Sequence, residues 1–241
     1  MWRDEMMQSL VQGYKACVIG ASGGIGNAIA EQLRIDPACQ QVVCLHRNSV
    51  PAIDVGDEQS VAQCAEQLRA MGPFQLIIVA SGILHTPEFM PEKKLADINL
   101  QQMQQTFLVN TFGPAFVLRH FVSLLDKERS VFAFLSAKVG SIGDNRLGGW
   151  YSYRASKAAL NMLIKTAAIE VKRTHPQAVL TAVHPGTVDS KLSQAFAKKS
   201  TGTPIGRPAV LAAQEILNVL DSLKADDSGL FVAYNGERLP W

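Results

Sequence analysis

A short apolar run of strand length, residues 14–19 (Tyr-Lys-Ala-Cys-Val-Ile), leads straight into Gly20-Ala21-Ser22-Gly23-Gly24-Ile25-Gly26. Helix-like spacing follows at once, with Ile25, Ala28, Ile29 and Leu33 on one side. A strand, a glycine turn and a helix start in that order make an anion site, because backbone N–H groups and the helix dipole face the ligand. Glycines also let a backbone approach a pyrophosphate and allow a helix to pack closely on a strand. The spacing here is Gly-x-x-x-Gly-x-Gly rather than Gly-x-Gly-x-x-Gly.

The same alternation continues to the end of the chain. Strand-like runs fall at 41–45, 74–80, 131–135, 179–184 and 230–234. Between them, helical periodicity covers 58–71, 100–125 (crossed by Gly113-Pro114), 153–175 and 208–223. Alternating strands and helices imply an α/β fold of Rossmann type, a doubly wound parallel sheet with helices on both faces. Ligands of such a sheet bind at the C-terminal ends of its strands. With no repeat, linker or low-complexity tract, residues 1–241 read as a single dinucleotide-binding domain. Two loops, 138–152 and 187–207, fall where a substrate pocket is shaped.

A net charge of +2 with both signs scattered argues against nucleic acid or an anionic membrane as the main partner. Cys17, Cys39, Cys44 and Cys64 form no Cys-x-x-Cys pair, and two lie in strand-like runs, so reduced thiols are expected rather than disulfides or a metal site. No basic-then-apolar leader opens the chain, and no apolar stretch reaches membrane-spanning length. A soluble, cytoplasmic protein is the expectation. The strand at 41–45 ends in His46-Arg47-Asn48. A carboxylate there would accept hydrogen bonds from a ribose 2′-hydroxyl and favour NAD. Arg47 instead offers a planar fork to a 2′-phosphate, which favours NADP over NAD.

Tyr153 and Lys157 stand four apart in Tyr153-Arg154-Ala155-Ser156-Lys157, on one face of a helix. A free phenol titrates near ~10 and is a poor base at neutral pH. A cation about 4 Å away, at an effective dielectric of about 20, would stabilise the phenolate by roughly 4 kcal/mol, or about three pKa units. That would bring the phenol into the range of efficient general acid/base catalysis.

Taken together, the glycine loop, the Tyr153/Lys157 pair, Asn110 in Val109-Asn110-Thr111, and Pro185-Gly186-Thr187-Val188 resemble the short-chain dehydrogenase/reductase superfamily, in family order from Gly20 onward. Within it the chain is most similar to the C-factor and sniffer-type carbonyl reductases, through Gly140-Ser141-Ile142, Asp144-Asn145, Gly148-Gly149, the segment 151–157 and Leu239-Pro240-Trp241. The resemblance implies hydride transfer between a nicotinamide and a small carbonyl or alcohol substrate. Tyr153 would exchange the proton, Lys157 would lower its pKa and bind the nicotinamide ribose, and Asn110 would hold a water linking Lys157 to solvent. A serine after the strand at 131–135 would orient the substrate oxygen. Ser136 is the first candidate and Ser141 the other, because the usual position holds Ala137. The implied cofactor set is Gly20, Ser22, Gly24, Ile25, Gly26, Arg47, Asp54, Val55, Ala80, Ser81, Gly82, Tyr153, Lys157, Pro185, Gly186 and Val188. Ala80-Ser81-Gly82 stands where the family has Asn-Ala-Gly, so a strand-tying amide is missing. Self-association as a dimer or tetramer through the helices at 100–125 and 153–175 is expected. Trp150, Tyr151 and Phe196 suggest an apolar or aromatic carbonyl compound. His184 reads as structural, and His85 and His120 lack ligand-spaced partners. The competing reading is a signalling or regulatory module on the same fold, since fold alone does not decide function.

Overall fold

The computed structural model describes residues 7–194 and 206–241. Six strands form one parallel sheet: β1 (Tyr14–Ile19), β2 (Cys39–Leu45), β3 (Leu76–Val79), β4 (Ser130–Leu135), β5 (Ala178–His184) and β6 (Leu230–Ala233). Their order across the sheet is β2-β1-β3-β4-β5-β6. The helices are α1 (Gly24–Ile35), α2 (Glu58–Leu68), α3 (Leu100–Phe107), α4 (Gly113–Phe121), α5 (Tyr151–Val171), α6 (Lys191–Gln194) and α7 (Ala209–Ser222).

Strand residues divide by parity between two cores. Cys17, Ile19, Ile77, Val79, Phe132 and Phe134 face α2, α4 and α5. Ala16, Val18, Leu76, Ile78, Val131 and Ala133 face α1 and α7. Alternate side chains of a strand point to opposite faces, so a sheet covered on both sides demands apolar residues at consecutive positions. That is why β3 reads Leu-Ile-Ile-Val and is buried throughout.

Periodicity starts the long late helix at Tyr153, whereas α5 starts at Tyr151. The helical stretch after residue 100 is not broken at Gly113-Pro114. Instead α3 passes into α4 through a π-turn at Leu108–Phe112, and the whole run spans Leu100–Leu124. By length and composition that run could cross a bilayer, which corrects the expectation of no such stretch. Here it packs its Asn110, Thr111, Val117 and Phe121 inward. The polar loop at 187–207 holds α6, and its residues 195–205, with Phe196, lie outside the described segments.

β1 runs next to β3 while β2 lies on its other side, so the connections diverge between β1 and β3 and leave a crevice there. Tight approach makes that crevice possible. A Cβ on Gly20 would sit 2.7 Å from the Ser81 backbone nitrogen, and one on Gly26 would run into the Gly20 carbonyl. Gly26→Ala is therefore expected to destabilise the fold by about 1–3 kcal/mol through forced backbone shifts. Urea unfolding reads this directly, and an unchanged midpoint would mean that α1 can retreat from β1 freely.

Candidate active site

The N-terminus of α1 opens into the crevice, and its first N–H groups have no intrahelical partner. No acidic residue stands in that first turn, so nothing local neutralises the dipole. Ser22 and Gly24 are exposed here and Gly26 is buried behind them. The Ala80 N–H donates to the Ile19 carbonyl (2.7 Å), which pins the end of β3 to β1 without the missing family amide. The Ser81 hydroxyl is buried and has no partner among the described residues. At the far end of the crevice lie His46, Arg47, Asp54 and Val55. Arg47 is exposed, and one Asp54 carboxylate oxygen accepts the Gly56 N–H at 2.9 Å.

Tyr153, Lys157 and Asn110 come together where the β3 loop meets α5. Lys157 is 3 % exposed, and its ammonium donates to the Leu135 carbonyl at 2.9 Å. Its Nζ lies 5.9 Å from the centre of the Tyr153 ring. Asn110 is fully buried; its amide donates to Ile83 O (2.8 Å) and Ser156 Oγ (3.2 Å), and its Oδ1 accepts Ile83 N–H (2.8 Å). Ser156 Oγ in turn donates to the Tyr153 carbonyl at 2.8 Å. The π-turn turns both Asn110 and Thr111 inward, and Thr111 Oγ1 donates to Ser156 O at 2.9 Å.

The electrostatics differ from what the Tyr-x-x-x-Lys spacing alone predicts. Burial pushes the Tyr153 phenol up to about 12 and the Lys157 ammonium down to about 8. Desolvation disfavours both charged forms and is the cause of both shifts. The phenol thus holds its proton at neutral pH.

Tyr153, Lys157 and Gly82 border a cavity of about 330 Å³ at the C-terminal ends of β4 and β5, where Pro185, Gly186 and Val188 also line it. Ser136 reaches the wall, but its hydroxyl donates to Asn161 Oδ1 at 2.6 Å. Ser141 is buried outside the cavity lining, and its Oγ accepts the Asp144 N–H at 3.1 Å. Ala137 presents a methyl group there instead. Trp150, but not Tyr151, lines the same space.

His184, read from sequence as structural, stands at the cavity. It lines the cavity, its Nδ1 is buried without a partner among the described residues, and burial, with Lys138 and Arg207 nearby, pushes its titration down to about 4. Its place at the end of a parallel strand was the available signal. Arg207 gave no such signal. It stacks 3.5 Å from the Tyr234 ring centre and donates to Pro185 O at 2.7 Å, which holds the 185–188 turn in place.

The family model described as short chain dehydrogenase matches residues 14–201. A 1-hydroxy-2-glutathionyl-2-methyl-3-butene dehydrogenase of Rhodococcus sp. (strain AD45) is 28% identical over 234 residues, covering 93% of this chain and 98% of that protein. The C-signal protein of Myxococcus xanthus is 31% identical over 149 residues, covering 61% of this chain and 83% of that one. Among solved structures, an NADPH-bound carbonyl reductase from chicken fatty liver superposes with a TM-score of 0.80 at 22% identity, over 96% of each chain.

The buried pair has a pH signature. Folded Lys157 releases its proton near pH 8, whereas an unfolded chain holds it to about 10.5. Between those values the unfolded state binds more protons, so this group makes stability rise with pH. Tyr153 acts in the opposite sense from about 10 to about 12. Lys157→Met should thus gain stability over wild type near pH 7 and lose that advantage toward pH 9.5, as measured by urea unfolding at both values. A constant difference would contradict the burial effect.

Proposed function

The chain belongs to the short chain dehydrogenase family of oxidoreductases, and on that premise we propose that it reduces a small carbonyl compound with NADPH, Tyr153 giving the proton to the substrate oxygen. The observation that carries this reading is the phenol of Tyr153, buried at the cavity wall beside Lys157 and protonated at neutral pH. A phenol that holds its proton can give it to a substrate oxygen as hydride arrives at the carbonyl carbon.

The crevice fits a dinucleotide. A backbone cradle that Gly20 leaves clear of Ser81, the open N-terminus of α1 and the orphaned Ser81 hydroxyl are all features that a bound anionic ligand would complete. Gly24, Ile25 and Gly26 would hold the pyrophosphate, Asp54 and Val55 the adenine, Lys157 the ribose, and the 185–188 turn the carboxamide. When bound, the nicotinamide supplies the hydride. Arg47 is free to meet a 2′-phosphate, and no carboxylate occupies the end of β2.

Lys157 keeps its ammonium on the Leu135 carbonyl and so stays in place beside the phenol. Asn110 acts as a clamp on Ile83 and Ser156 rather than through a free side-chain amide. The cavity is walled by Leu84, Val139, Trp150 and Leu192, which suits an apolar carbonyl substrate. A regulatory role without turnover gains nothing from a buried Tyr153/Lys157 pair, since a binding module has no use for a desolvated ammonium beside a phenol.

Two substitutions test this. Tyr153→Phe should cut carbonyl reduction by about 10²–10⁴-fold, the usual size of a general acid's contribution, with NADPH affinity nearly unchanged by fluorescence titration. Turnover that survives would remove Tyr153 from the role. Arg47→Ala should weaken NADPH by about tenfold or more, roughly 1.4 kcal/mol, and leave NADH untouched. Equal losses for the two cofactors would remove the 2′-phosphate contact.

A further inference from the structure

We propose that Glu92 is a positioning residue for Tyr153: its buried carboxylate caps the first turn of α5 from a separate loop and so sets where the phenol meets the cavity. The proposal rests on Tyr153 being the proton donor.

Helix α5 has no cap of its own. It is entered through Trp150 at φ 54 and ψ 45, with no side-chain cap bond and no acidic residue in its first turn. Trp150 is the one non-glycine residue with positive φ among the described residues, and it follows Gly148 and Gly149 at φ 63 and 64. A bulky side chain seldom takes that conformation, so its surroundings must hold it there.

Glu92 holds this helix entry at two points, Trp150 and Ser152. Its backbone carbonyl accepts the Trp150 N–H at 2.5 Å. Its carboxylate, 2 % exposed, accepts the Ser152 N–H with both oxygens at 3.3 Å and the Ser152 hydroxyl as well. A carboxylate buried this deeply needs partners. Among the described residues no Lys, Arg or His forms an ion pair with it. The α5 N-terminus, through its N–H groups and dipole, takes that part.

Glu92 is itself braced. Gln102 donates to the Met90 carbonyl at 3.1 Å, and the Lys93 and Lys94 N–H groups donate to Asp97 at 3.0 and 3.2 Å. A helix that needed only stability could be capped by Ser or Asp at position 150. Placing the cap on the loop after β3 ties α5 to the opposite wall of the cavity, which Gly82 and Leu84 line. The Trp150 ring, whose backbone N–H the Glu92 carbonyl holds, meets the Tyr153 ring edge-on at 6.3 Å. Glu92 thus reaches the phenol through both backbone and ring.

The test compares Glu92→Ala, Glu92→Gln and Ser152→Ala by hydrogen exchange and by steady-state reduction with NADPH. Exchange across residues 148–156 should quicken in Glu92→Ala while residues 160–170 stay as in wild type. In that variant kcat should fall by about tenfold or more with the Kd for NADPH within about twofold, and Glu92→Gln, which still accepts both Ser152 donors, should recover to within about threefold of wild type. Unchanged exchange at 148–156, or unchanged kcat per bound cofactor, overturns the proposal. Should Glu92→Ala not fold, Ser152→Ala decides: lower kcat supports the clasp and wild-type kcat overturns it. Wild-type protein that binds NADPH but reduces no carbonyl would count against the proposed activity, while the exchange data still report on the clasp.

Discussion

Three parts of the site hang on the side chain of Asn110. It is fully buried, and it satisfies both backbone groups of Ile83 while reaching Ser156 on α5. An unmatched buried amide would cost about 1–3 kcal/mol per group, so the loop after β3 and the first turns of α5 can settle in only one relative position. The π-turn is what lets consecutive residues, Asn110 and Thr111, both face α5. From that junction follow the placement of Gly82 beside Lys157, the border of the cavity and the approach of Tyr153 to it.

Burial then decides the chemistry. Residues four apart on a helix are close enough for an ammonium to help a phenolate, and on that ground alone the tyrosine would titrate lower. In the folded protein both groups are buried at the cavity wall, and dehydration raises the one and lowers the other. The result is a protonated phenol beside an ammonium anchored on the Leu135 carbonyl. The cavity wall departs from the family pattern in the same region. A methyl group stands at Ala137, the nearby Ser136 hydroxyl is bonded to Asn161, and a neutral His184 faces the same space.

The alternation of strands and helices, the glycine turn after β1 and the apolar faces were legible in the sequence because they are local. Period 2, period 3.6 and the absence of a side chain are properties of neighbouring residues, and they determined a parallel sheet with a crevice at its strand ends. Tyr153, Lys157 and Asn110 could also be singled out there, by spacing and by resemblance. Which hydroxyl turns inward, that His184 borders the cavity, that Arg207 holds the 185–188 turn and that Glu92 caps a helix about 60 residues away were decided only by tertiary structure. Those contacts join segments far apart in the chain, and the dehydration that sets the Tyr153 and Lys157 titrations exists only once the sheet, α5 and the β3 loop have closed around them.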